Sequence, residues 1–448
     1  MDDFDFVAIG GGNTGLAAAS RIAKAGRRVA LVDPGPLGGL CSLAGCNPKK
    51  VLVRATEVLD LVRRASEHGI STGDVEIDWS RVIDRQHRFT DKVPERTEES
   101  LVSEGIELVR GTARFLGPDQ ISVEGRRIRA AGFAIATGSR PRRLSFPGAD
   151  LVITTDVLLQ ARTVPSRMVI LGAGVVASEF AFVFARLGTK VSIVAPGERA
   201  LRGFDAEFLA PVMAYAQRLG IDWIWSSTVE RVDKHGAALE VAIRSGERAR
   251  ILEADLILNA AGRTAAVEEL DLERAGVEVG PAGVVVGAFL RSDGNRRVFA
   301  GGDAHGRSQL SPVASYEGRI IARNFLEDDV EEARYDTVPR AVFTTPPLAV
   351  VGLTAEEAAA RGHDVEVAHH DRSSGTVHAI ADHERAAARL VIERQTEAVV
   401  GAQLWGESAA ELINFFALAV ARRVTRSELE TMVYAYPTDA SAFRYAVR

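Results

Sequence analysis

The apolar run "FVAI", residues 6–9, reads as a buried strand, and Gly10-x-Gly12-x-x-Gly15 as the turn that follows it. An Ala-rich helical stretch comes next, then a second apolar strand, "RRVALVD", ending in Asp33. The same grammar returns in "SRMVILGAGVVASEFAFVFARLGTKVSIVAPGERALRGFD", with Gly172, Gly174 and Ala177 in the turn. Later, "VFAGGD" predicts a strand that delivers Asp303 to a turn, and "QLSPVASYEGRIIARN" predicts an amphipathic helix. Towards the C-terminus, "YDTVPRAVFTTPPLAVVGLT" predicts alternating apolar strands with Pro-rich turns, and "GESAAELINFFALAVARR" a largely buried helix. The order of elements gives an α/β fold class: two Rossmann-like dinucleotide-binding domains and a C-terminal α+β module.

The turn residues carry chemistry. Gly10 permits the tight turn, Gly12 lets the backbone approach a pyrophosphate, and Gly15 lets helix and strand pack closely. The helix N-terminus offers N–H groups and a positive dipole end to phosphates, and Asp33 can accept hydrogen bonds from a ribose. Gly10 to Asp33 is 23 positions, and so is Gly172 to Ala195, so the second motif has Ala195 where the first has its acid. Arg199 and Arg202 lie just beyond. Loss of the acid and two nearby guanidinium groups predict NADPH over NADH, because an acid repels a 2′-phosphate and arginine pairs with it.

Composition narrows the class. A chain of 448 residues suits about three domains, and 46% hydrophobic with 25% charged residues is ordinary for a globular protein. A net charge of −6 argues against nucleic acid as the main partner. No apolar run approaches the roughly 18–20 residues needed to cross a bilayer. The start, "MDDFDFVAIG", is acidic and leads straight into a strand, which predicts no signal peptide and a cytoplasmic location. The 2 cysteines, Cys41 and Cys46, share the segment "GGLCSLAGCNPKK". In a reducing cytoplasm a standing structural disulfide is disfavoured, and zinc needs more ligands than the nearest histidine, His68, supplies. The pair reads as a cycling redox centre.

These motifs, together with "AIATGSRP" (134–141), "NAAGRT" (259–264), "VFAGGDA" (298–304) and the C-terminal "YAYPTDASAF", resemble the flavoprotein disulfide reductases essentially end to end. The resemblance implies FAD on the first glycine motif and NAD(P)H on the second. It implies Asp303 on the flavin's ribityl chain, with the following helix along the flavin, and crossovers between domains at Gly138 and Gly262. FAD-binding segments are predicted at 1–149 and 265–334, an NAD(P)H domain at 150–264 and a dimerisation domain at 335–448. By the same resemblance Cys46 is the thiolate beside the flavin and Cys41 the outer thiol that attacks substrate. Lys49 or Lys50 reaches the flavin and pairs with Glu179.

Two departures stand out. Leu40 replaces a threonine near the flavin phosphates. At the C-terminus the family carries a histidine and, five residues on, a glutamate, supplied by the partner subunit of a homodimer as the proton shuttle; here they are Tyr436 and Ser441. A phenol with a reference pKa of about 10 shuttles protons poorly at neutral pH, so weak glutathione reductase activity is expected. His378 and His383 would have to be brought in by the fold to replace the histidine. Mercuric reductase shares the tyrosine but ends in a vicinal cysteine pair, whereas this sequence ends "FRYAVR", so a mercury role is not expected. A coenzyme M reductase/carboxylase, which excludes protons from its site, also lacks the histidine. The leading expectation is an NADPH-dependent FAD enzyme reducing a small disulfide or related sulfur compound. Reduction of a metal ion or quinone, thioether cleavage, and a redox sensor with little turnover are the alternatives.

Overall fold

The computed structural model describes residues 2–373, 375–381 and 385–446; His383 lies outside them. The chain forms two compact units. The first comprises Met1–Val51, Ile83–Arg143 and Gly262–Arg334, and the second Leu52–Val82, Leu144–Ala261 and Tyr335–Arg448.

The first unit is built on a sheet whose parallel part runs in the order Glu107–Arg110, Val29–Asp33, Asp2–Ile9, Arg126–Ile135, Val298–Ala300. Gln120–Val123 and Ala113–Gly117 extend it antiparallel. Register pairs Phe6 with Val29 on one side and with Gly132 on the other. The central strands are buried on both faces, one by helices Asn13–Lys24 and Ser311–Glu327 and the other by strands and short turns of the same unit, which is why they read as unbroken apolar runs. Helix Asn13–Lys24 lies close against helix Ser311–Glu327, because Gly318 has no side chain: a Cβ there would stand 2.4 Å from the Thr14 carbonyl oxygen. The Thr14 hydroxyl donates to the Ala314 carbonyl at 3.0 Å across the same contact.

The second unit repeats the parallel theme in a four-stranded sheet, ordered Ile221–Ile224, Lys190–Val194, Arg167–Leu171, Leu256–Asn259. A three-stranded antiparallel sheet, Thr228–His235, Ala238–Ser245 and Arg248–Ala254, packs against it through Val232, Val241 and Leu252. Its C-terminal part is a five-stranded antiparallel sheet, Arg340–Val342, Leu348–Gly352, Val399–Trp405, Ala387–Glu393, Val365–Asp371. Strand Leu348–Gly352 is buried along Leu348, Ala349, Val350 and Val351 instead of alternating, because both of its faces are covered.

Helix Ala409–Arg422 covers that sheet, but not as the apolar sequence suggests. It buries Ala409, Ile413, Phe416 and Ala419, the spacing of a single helical face, while Leu418 on the other side stays 59% exposed. The Phe416 ring meets Phe443 edge-on at 4.7 Å. Phe416→Ala should therefore destabilise the protein by about 3–5 kcal/mol in urea unfolding, by cavity formation. Leu418→Ala should change protomer stability by no more than about 0.5 kcal/mol.

Candidate active site

The first glycine turn is set by backbone contact. Gly10 has φ +117°, and a Cβ there would lie 2.2 Å from the Ala136 carbonyl oxygen. At Gly15 it would lie 1.9 Å from the carbonyl of Gly10. Helix Asn13–Lys24 starts at Gly12 with no side-chain cap, leaving its first N–H groups to an incoming phosphate. Asp33 accepts from the Gly11 N–H at 2.6 Å and from the Gly35 N–H at 2.8 Å, which ties the loop to the strand end; a carboxylate retains lone pairs for a ribose. The turn fits a dinucleotide.

The second turn is its counterpart. Gly172 has φ +109° and a Cβ there would lie 2.3 Å from the Ala260 carbonyl oxygen; Gly174 starts helix Val175–Arg186, again without a side-chain cap, and Ala177 is fully buried. Ala195 is buried where the first turn has its acid. Arg199 is held by both carboxylate oxygens of Glu356, at 3.0 and 3.1 Å. The guanidinium of Arg202 lies beside Gly197, 3.5 Å from where a Cβ on that glycine would be. Glu179 is buried in helix Val175–Arg186 and accepts from the Phe343 N–H at 2.7 Å.

Gly138 and Gly262 flank a two-stranded ribbon, Ser139–Pro141 with Arg263–Ala265. Asp303, in the turn after strand Val298–Ala300, accepts from the Ser139 hydroxyl at 2.5 Å, and Arg263 donates to that same hydroxyl at 2.8 Å. The Asp303 carboxylate is thus fixed beside the ribbon.

The cysteines sit on different helices. Cys41 lies in the short helix Gly39–Leu43, and Cys46 opens the long helix Cys46–Arg63. Both are free thiols, Cys41 half-buried and Cys46 exposed, and they hydrogen-bond to one another. That bond, offset in part by burial and helped by the Ser311 hydroxyl and the charge of Lys49, lowers Cys41 to about 6. The same bond, with burial, pushes Cys46 upward against the pull of Lys49 and Lys50. The dithiol therefore carries one thiolate, on Cys41, whereas the resemblance places a thiolate on Cys46. The two arrangements differ only in which sulfur keeps the shared proton, and the helix N-terminus at Cys46 is what favours the second. Lys49 is buried and brought down to about 8 by that burial, with the cysteines pulling it back up; Lys50 is less buried. Asn13 donates to the Ser311 hydroxyl at 2.5 Å and to its carbonyl at 3.3 Å, so the first glycine helix reaches Cys41 through one intermediary. Leu40 is exposed.

Tyr436 is 74% exposed, with its hydroxyl 3.5 Å from Thr376 Oγ1. Ser441 does not face it: the Ser441 hydroxyl donates to the Thr438 carbonyl at 2.6 Å, and its N–H bonds the Thr438 hydroxyl, in the cap of the turn Asp439–Ala442. Both residues line a cavity of about 410 Å³ that also contains His378 and Asp439.

Residues 4–318 match the family described as Pyridine nucleotide-disulphide oxidoreductase. The chain belongs to the pyridine nucleotide-disulphide oxidoreductases. Residues 338–447 match the dimerisation domain of the same family. Among similar proteins, a mercuric reductase from Staphylococcus aureus is 31% identical over 99% of this chain and 82% of its own length. A glutathione reductase from Nostoc sp. is 31% identical over 98% of both. The solved structure of a Cu(II) complex of the HOCl-induced flavoprotein disulfide reductase RclA from Escherichia coli superposes with a TM-score of 0.89 at 26% identity, covering 100% of this chain and 99% of that one. As a pyridine nucleotide-disulphide oxidoreductase the chain is an enzyme that works with FAD and NAD(P)H, the cofactors for which its two glycine turns are shaped. No described helix is long and apolar enough to cross a membrane.

Sequence reasoning missed Asn13, Ser311 and Asp439. "SP" at the head of the 311–327 helix signals a helix start, but nothing in it points 270 residues back to Cys41. In the reduced oxidoreductase, alkylation of Cys41 by iodoacetamide should rise with pH through a midpoint near 6, because only the thiolate reacts. Ser311→Ala should move that midpoint upward, read by peptide mass spectrometry; an unmoved midpoint would remove Ser311 from the account.

Proposed function

We propose that this chain takes reducing equivalents from NADPH, holds them as the Cys41/Cys46 dithiol and passes them to a small disulfide or related sulfur compound in a reducing cytoplasm. The observation that carries the reading is the thiol pair: two cysteines joined by a hydrogen bond, one ionised near neutrality, beside a dinucleotide turn. Bound FAD supplies the hydride chemistry that links a pyridine nucleotide to a thiol pair.

In this reading Gly10, Gly12, Gly15, Asp33 and Asp303 hold FAD, with segments 1–149 and 265–334 as its domain. Gly172, Gly174 and Ala177 hold the nicotinamide coenzyme in 150–264, and 335–448 forms a homodimer. Cys41 attacks the substrate sulfur, since an attacking thiol is most effective with a pKa near ambient pH, and Cys46 resolves the mixed disulfide. Lys49 steadies the thiolate. Arg202 reads the 2′-phosphate, with Arg199 committed to Glu356. A metal ion is the second acceptor class. It is favoured by the soft thiol pair and by the mercuric reductase and Cu(II)-complex relatives.

An anaerobic acceptor panel with excess NADPH separates these readings: sustained oxidation with 2-hydroxyethyl disulfide supports the first, turnover restricted to Cu(II) or Hg(II) the second, and a single reduction without turnover overturns both. Cys46→Ser should trap a mixed disulfide on Cys41, seen as an adduct on the Cys41 peptide; Cys41→Ser should form its adduct at Cys46 far more slowly. Equal rates would contradict the assigned order. Arg202→Ala should raise KM for NADPH about tenfold and leave KM for NADH within about twofold, the effect of losing one charge-assisted hydrogen bond. Arg199→Ala should have the smaller effect.

A further inference from the structure

Position 436 has no imidazole, yet the cavity beneath it does. His378 is buried, and its Nε2 donates to the Asp439 carboxylate at 2.8 Å. Asp439 is also held by Arg372 and by the Ser408 hydroxyl. Burial would raise this carboxyl; the His378 hydrogen bond and the Arg372 and His378 charges outweigh that and hold it at about 2, so it stays an acceptor throughout the working range. Arg372 in turn lies over the Phe443 ring at 4.8 Å, which fixes the cluster to the core. Arg372 by itself would neutralise Asp439. The histidine adds an ionisable ring whose tautomer is set by the carboxylate, and whose Nδ1 makes no hydrogen bond to the described residues while the ring lines the cavity. The same cavity is lined by Tyr436 and Ser441, and Thr376, two residues before His378, is the neighbour of the Tyr436 hydroxyl.

We propose that His378, oriented by Asp439, is the acid–base residue of the sulfur chemistry in this chain, delivered from the dimerisation segment to the cysteines of a second copy. The proposal rests on the disulfide reading above. The Cys41 thiolate attacks one substrate sulfur; a Cys41–substrate disulfide forms, the substrate S–S bond breaks, and its electron pair leaves on the second sulfur. The His378 imidazolium protonates that thiolate. Cys46 then gives its proton to the neutral imidazole and attacks Cys41 Sγ, and the first substrate sulfur leaves and takes that proton. Two electrons pass from the dithiol to the substrate, and two protons, one from the imidazolium and one from Cys46, complete two thiols. This assignment reverses the expectation of weak disulfide turnover drawn from position 436 alone.

The test uses His378→Gln in the FAD-loaded enzyme, because glutamine keeps an N–H for Asp439 but cannot carry a proton. Two substrates are compared: 2-hydroxyethyl disulfide, whose alkyl thiolate needs a proton to leave, and 5,5′-dithiobis(2-nitrobenzoate), whose acidic aryl thiolate does not. The variant should lose about 100-fold in kcat/KM with the alkyl disulfide and less than about threefold with the aryl one. Equal losses on both, or none on the alkyl substrate, would overturn the proposal. Co-expressing His378→Gln with Cys41→Ser should restore alkyl turnover in the mixed dimers, since one of the two sites is then intact; no recovery would overturn delivery to a second copy. A measurement on the unmodified enzyme needs no variant: a solvent isotope effect of about 2 with the alkyl disulfide and none with the aryl one is expected, and identical effects would count against the histidine. Unmodified enzyme that reduces neither disulfide would bring down the disulfide reading itself, and the proposal with it.

Discussion

The constraint on which the rest depends is a backbone-to-backbone touch made twice. Gly10 packs on the carbonyl of Ala136, and Gly172 on that of Ala260, each with a left-handed φ and no space for a Cβ. In both cases the touching strand is the neighbour across the parallel sheet, so the glycine fixes where the helix starts relative to two strands at once. From that point the helix N-terminus, its uncapped N–H groups and the following strand end are all placed by regular geometry. Substituting either glycine would move every group that meets a phosphate. In the first unit the constraint extends to the thiol pair, because Asn13, the first residue of the helix so placed, holds Ser311, and Ser311 holds Cys41.

What the sequence discloses follows from how local each determinant is. The two glycine motifs, their strands and helices, and the turn carrying Asp303 were legible because each is encoded within about thirty residues by period and turn chemistry. The helix 409–422 was misjudged because composition alone does not separate an all-apolar helix from one that hides a single face and leaves the other exposed. The site was legible in its parts and not in its couplings. Which thiol holds the charge depends on a hydrogen bond and on Ser311, and the Arg199–Glu356 and His378–Asp439 pairs join residues 157 and 61 positions apart. Nothing periodic in the chain announces such pairs.

The thiol pair and Lys49 also show how little charge is needed to bias two neighbouring sulfurs. One proton is shared between two sulfurs, and the balance is set by a hydroxyl, a buried ammonium and a helix end. Burial lowers Lys49 to about 8 while the thiolate draws it back, so the ammonium and the thiolate sustain one another and each loses support when the other is neutralised. Oxidation of the pair removes the thiolate and with it that support, which couples the protonation of Lys49 to the redox state of the cysteines.

The use of Ser441 as a cap has a consequence for what that position can tolerate. The turn that presents Asp439 is closed by the Ser441 hydroxyl and N–H on Thr438. A glutamate at 441 would lose the hydroxyl bond to the Thr438 carbonyl, yet its carboxylate could close the same cap, as Glu357 does on Thr354 and Glu428 on Thr425. The turn that presents Asp439 is thus held by a cap that accepts either serine or glutamate, so an exchange between the two at 441 leaves the local backbone closed and changes only the charge beside the cavity.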